Sequence, residues 1–149
     1  MPDTAANEIQ PAFQKNLDAI ARTSPALRGL LDAILALNDA DNRVFVSTDS
    51  NLHLYAGRDF ILRIVFGRGS VLQLQPHTEK AIYEDANKLE ADEFFRSVIA
   101  LAIKKEGFKS GWADLDRAKN VLTIRAGVPK SFIDALCASV IAAARATEA

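Results

Sequence analysis

Residues 43–76 read RVFVSTDSNLHLYAGRDFILRIVFGRGSVLQLQP, and this stretch decides the fold. It divides into four short runs, RVFVST, LHLYA, FILRIVF and VLQLQ, separated by DSN, GRD and GRGS. Apolar and polar residues alternate along the runs. Alternation marks a strand, because successive side chains leave opposite faces. In the third run Phe60, Leu62, Ile64 and Phe66 fall on one side, and Ile61, Arg63 and Val65 on the other. The sheet is therefore expected to have one strongly apolar face and one mixed face. Tight turns between the runs imply an antiparallel meander. Gly67-Arg68-Gly69-Ser70 joins two strands and does not lead into a helix, so it reads as a hairpin turn with glycine at positive φ, not as a phosphate cradle.

Helical patterns flank this core. Over residues 8–22, Ile9, Phe13, Leu17 and Ile20 share one face, with Pro11 in the tolerant first turn. Ser24 and Pro25 read as the N-cap and first residue of a second helix reaching about Leu37. Its apolar arc is wide, so more than one side should be buried. The polar residues 38–42 end it. After Pro76 the chain turns polar, with a helical turn or two expected near residues 81–89. A firm helix follows over about 91–106, with Phe94, Phe95, Val98, Ile99, Leu101, Ala102 and Ile103 as its buried set and Gly107 terminating it. Residues 108–119 read as a loop, NVLTIRA as a fifth strand, and about 130–145 as the last helix. The expected class is α+β: an antiparallel meander sheet with helices packed on one face, in the order α-α-β-β-β-β-α-β-α. At 149 residues this is a single domain, 1–149, with residues 1–7 frayed.

Composition excludes several functions. The apolar share of 49% and charged share of 25% are those of an ordinary soluble globular protein. A net charge of −1 argues against a nucleic-acid binder that relies on a basic face. The single cysteine, Cys137, rules out an intramolecular disulfide and reads as a buried, inert thiol. No apolar run approaches the roughly 20 residues needed to cross a bilayer. The first ten residues lack a basic region followed by an apolar core, so the expected location is cytoplasmic.

Chemistry is sparse. His53 and His77 are the two histidines, and the run His77, Glu79, Glu84, Asp85 matches no ligand spacing. The carboxylates between Glu79 and Glu93 sit in a strongly polar segment, where the burial that shifts a pKa for acid–base work is not expected. Residues 47–50, STDS, offer hydroxyls with no histidine assigned to them. The expectation is no catalytic residue, no metal and no cofactor.

The mixed sheet face is the candidate site. It displays Phe45, His53, Tyr55, Ile61, Arg63 and Val65, with Gln73 beside them. Aromatic residues and arginine are enriched at contact surfaces, so these six are the candidate partner-binding residues. The competing reading is that a helix of the same chain covers them. Ala138, Ala142, Ala143 and Ala144 in the last helix would allow close approach of a second copy, which together with the mixed face points to a homodimer.

The length, leading helix, antiparallel strands, internal helix and closing strand–helix unit together resemble a type III secretion chaperone. The resemblance implies a small α+β homodimer that holds effector segments along its surface without catalysis, and it carries over no individual residue. The expected function is thus a non-enzymatic protein-binding module. The alternatives are a small inhibitor or immunity-type protein that blocks an enzyme or toxin, and a small-ligand binder or enzyme with a pocket between helices and sheet.

Overall fold

Proline opens both leading helices. In α1 (Pro11–Thr23) it occupies the first turn, where its missing N–H has no intrahelical partner to lose. Phe13, Leu17 and Ile20 turn inward, as their spacing requires. At Ser24 the amide donates to the Ile20 carbonyl, 2.7 Å away, while the Ser24 carbonyl accepts from the amides of Leu27 and Arg28. One residue thus ends α1 and begins α2 (Pro25–Ala40). The structure, a computed structural model, describes residues 10–40, 43–56, 59–75, 86–116 and 121–146. The expected frayed start (1–7) and the run from His77 to Asp85 lie outside these residues.

Strands β1 (Val44–Thr48), β2 (Leu52–Ala56), β3 (Asp59–Gly67) and β4 (Val71–Gln75) form the expected meander. The hairpin between β3 and β4 has Gly69 at φ +74° as expected, but Ser70 also takes a positive φ of +59°. Thereafter come α3 (Ala86–Lys104), α4 (Gly107–Ser110), β5 (Ala113–Asp116), β6 (Val121–Ile124) and α5 (Lys130–Ala146). The sheet has six strands in the order β1-β2-β3-β4-β6-β5, and every neighbouring pair is antiparallel.

The α+β class and the meander stand, and two elements are added to the expected order. Residues expected to form a loop, 108–119, contain most of a short helix and a whole strand. The strand sequence ADLD carries two aspartates and has poor strand propensity. Pairing with β6 imposes the strand, and the ladder is extended by the Arg125 amide donating to the Trp112 carbonyl at 2.8 Å. Gly107 lets the corner between α3 and α4 sit on β5, since a Cβ there would stand 2.8 Å from the Ala113 Cβ.

A second correction concerns Ile61. Leu54 pairs with Leu62, but Tyr55 pairs with Phe60, so Ile61 is an extra residue on β3. This is a β-bulge, and it breaks the period of two. Ile61 is only 2% exposed and belongs to the buried core, so it does not share the mixed face with Arg63 and Val65.

The core lies on one side of the sheet. Val44, Val46, Leu52, Leu54, Leu62, Ile64, Leu72, Leu74, Leu122 and Ile124 join the buried faces of α1, α2, α3 and α5 in one cluster. Phe94 and Phe95 are both buried although adjacent helical positions point about 100° apart, so α3 is covered over a wide arc. Trp112, just before β5, packs on Phe132 of α5 with ring centroids 4.9 Å apart. Ala144, expected to help a second copy approach, is fully buried in this core, while Ala138 and Ala142 are exposed. Among the described residues Ser24 is the one buried polar residue, and no helix is long and apolar enough to cross a membrane.

Candidate interaction surface

Strand pairing lays out the other side of the sheet as rows. Phe45 stands opposite Tyr55. The next row runs Ser47, His53, Arg63, Gln75 across β1 to β4. The row beyond runs Val65, Gln73, Thr123, Asp114 across β3, β4, β6 and β5. Of the six candidate residues, Phe45, His53, Tyr55, Arg63 and Val65 share this face. Phe45 and Val65 lie outside the core cluster that the helices cover.

The aromatic pair is the apolar part of the surface. The rings of Phe45 and Tyr55 have centroids 5.4 Å apart and are inclined at 59°, an arrangement that favours edge-to-face attraction. Phe45 is 38% exposed and Tyr55 is half-buried, so Phe45 is the part of the pair offered to solvent.

The hairpin tip beside it is polar and tightly bonded. The His53 ring Nε2 donates to Asp49 Oδ2 at 3.1 Å, and the Asn51 amide donates to Asp49 Oδ1 at 2.7 Å. Burial raises the Asp49 carboxyl, but these bonds to its ionised form outweigh it, and its pKa lies below the ordinary carboxylate value. Asn51 also accepts the Phe66 amide on its side-chain oxygen, 3.2 Å away, tying β2 to β3 beyond their ladder. Folding brings His53 opposite Ser47, so the hydroxyl run at 47–50 does meet a histidine. The rest of that run holds α1 in place: Thr48 Oγ1 accepts the Gln10 amide, and the Ser50 carbonyl accepts the Asn16 side chain. Thr23 and Ser70 share a hydrogen bond that fastens the other end of α1 to the next hairpin.

Arg63 lies near the middle of the face. Its Nε is buried and has no hydrogen-bond partner. Asp114, at the far edge, takes Arg125 Nη2 at 2.8 Å. Gln75, Thr123, Asp114 and Arg125 extend the surface beyond the expected set. Thr123 could have been found from its place between Leu122 and Ile124. That β6 lies beside β4, however, is a long-range fact that no local pattern carries.

Other chemistry is absent from the described parts. Among the described residues no group of three His, Cys, Asp or Glu is placed to hold a metal ion. His77 and the carboxylates near it lie outside those residues. Cys137 is half-buried, and burial, with a smaller contribution from Asp134, pushes its thiol pKa up. No family model, curated protein or solved structure matches the chain.

Proposed function

We propose that the chain is a non-enzymatic protein-binding module whose contact surface is the mixed face of the sheet, opposite the core cluster of the described residues. The observation that carries this reading is the Phe45–Tyr55 pair, an exposed phenylalanine against a half-buried tyrosine on the side of the sheet away from the core cluster. Exposed aromatic area ringed by polar side chains is what an interface covers. The layer between helices and sheet is apolar, so among the described residues it supplies no lining for a polar pocket. The element order supports a chaperone-like version of the reading. Antiparallel strands, an internal helix and a closing strand pair with its helix match the plan on which the resemblance to type III secretion chaperones rests, and the second leading helix departs from it. In this version the chain is a homodimer that holds segments of another protein.

Photocrosslinking tests the face. A benzoylphenylalanine placed at position 45 in the full chain, within its cell of origin, is expected to crosslink a second polypeptide. The same group at position 109, on α4 where the Lys109 side chain is 84% exposed, is not. Crosslinks from position 45 to the chain itself would make the face a self-interface, and none from either position would overturn the reading. Light scattering decides the homodimer: a dimer mass is expected, and a monomer mass across a hundredfold concentration range removes that part.

A further inference from the structure

Arg63 has an unmet hydrogen-bonding demand at the centre of a surface otherwise well satisfied. Its neighbours across the strands are His53 and Gln75. The His53 Nε2 donates to Asp49, and Asp49 also accepts from Asn51. Across the sheet on β5, Asp114 and Asp116 share this side, and Asp114 is engaged by Arg125. Arg63 Nε therefore stays buried with nothing to donate to. An unpaired buried donor is costly, and more so when the group is charged. The planar guanidinium is shaped to meet a carboxylate with two parallel hydrogen bonds. The Phe45–Tyr55 pair lies in the next row, within reach of the same bound segment.

We propose that Arg63 anchors a partner segment that presents an Asp or Glu side chain beside an aliphatic or aromatic residue. The carboxylate closes on the guanidinium, and the apolar residue covers Phe45 and Tyr55. This rests on the reading of the face as a protein-binding surface and adds the chemistry of what binds. Charge selects a protein segment over a polyanion. Asp49 in the turn between β1 and β2 and the β5 pair Asp114 and Asp116 rim the face, with the Asp49 and Asp114 side chains 65% and 68% exposed, and these carboxylates disfavour an extended polyanion.

The test uses random dodecapeptides displayed on phage and panned against the full-length chain. Enriched peptides are synthesised with a fluorophore, and their affinities are measured by polarisation on wild type, Arg63→Gln, Arg63→Lys and Phe45→Ser. Circular dichroism confirms that each variant is folded. Enriched peptides are expected to carry an acidic residue next to an apolar one. Arg63→Gln should weaken them about ten- to hundredfold, the loss of a hydrogen-bonded charge pair. Arg63→Lys keeps the charge without the fork and should fall between. Changing the peptide's acidic residue to its amide should cost as much as Arg63→Gln, and combining both should cost little more. If Arg63→Gln does not fold, Arg63→Lys and the peptide amide decide the matter. Peptides that need Phe45 but ignore both Arg63 variants overturn the carboxylate anchor and leave the binding face standing. Peptides indifferent to Arg63 and Phe45 alike, or no enrichment, overturn both.

Discussion

The amide of Val46 donates to the side-chain oxygen of Asn38, 2.8 Å away, so the last turn of α2 closes an open position on the outermost strand. An edge strand exposes amides and carbonyls that can pair with another chain, and a capped amide cannot. Asn38→Ala is expected to cost about 1–3 kcal/mol, the penalty for a donor left unsatisfied. It should also increase aggregation at high concentration. Asn38→Asp keeps an acceptor and should retain most of the stability. Urea denaturation and light scattering check both, and an Asn38→Ala protein as stable as wild type would show that water replaces the cap at no cost.

The bulge at Ile61 predicts a difference between two residues that simple alternation puts on the same face. Ile61→Ala should cost about 2–5 kcal/mol, as for a buried aliphatic side chain. Val65→Ala, outside the core cluster, should cost about 1 kcal/mol or less. Equal losses by chemical denaturation would mean that Ile61 is no deeper than Val65.

What the sequence reveals and what it hides divide along one physical line. The helices and β1 to β4 are legible because a single face recurs with period 3.6 or 2 within each element. The bulge is not, because FILRIVF reads as unbroken in phase and only the pairing of Tyr55 with Phe60 shows the slip. The strand ADLD is hidden because four residues with two aspartates carry no strand signal without β6 beside them. Helix α2 outruns its expected end because Asn38 reads as a stop, whereas its side chain bonds a strand eight residues away. For the face, the contributors on β1 to β3 are visible. The unpartnered Nε of Arg63 is not, since it depends on what His53, Asp49 and Asp114 bond instead.

Glu106 adopts a left-handed backbone, φ 59° and ψ 32°, at the corner between α3 and α4. That conformation is costly for a residue with a Cβ, by roughly 1–2 kcal/mol, and free for glycine. The side chain returns little, since its contact with Lys109 is 3.9 Å long and both groups are well exposed. Glu106→Gly should therefore raise stability by about 0.5–1 kcal/mol, the strain relief less the added freedom of the unfolded chain. An unchanged or lower urea midpoint would show that the Glu106 side chain helps to hold the corner.

Cys137 is expected to react slowly. Burial and the nearby Asp134 carboxylate both disfavour its thiolate, which is the nucleophilic form. Alkylation by iodoacetamide at mildly alkaline pH should be slower than for free glutathione. Asp134→Asn should speed it slightly, since Asp134 is the smaller contribution and is paired with Lys130 at 3.1 Å. A rate matching glutathione's would show that the thiol is open to solvent and ionised.

Asp49 links the mixed sheet face to acid stability. Burial raises its carboxyl, but the hydrogen bonds from Asn51 and His53 favour the ionised form and bring the pKa below its ordinary value. A depressed folded-state pKa means that the unfolded chain binds more protons in that range, so stability rises with pH there. The contribution is whole above the unfolded value of about 3.9 and is lost as pH falls through the lower folded value. The side chain is 65% exposed, so solvent screens the effect and keeps it small. Asp49→Asn removes the titrating group while keeping an acceptor for the Asn51 amide. The wild-type advantage over this variant should be present at neutral pH and shrink as the pH falls below about 4, read from urea midpoints at several pH values. A gap that stays constant would show that Asp49 serves only as a hydrogen-bond acceptor. A gap that widens on acidification would reverse the sign of the linkage and show that the bonds from Asn51 and His53 do not favour the ionised carboxyl.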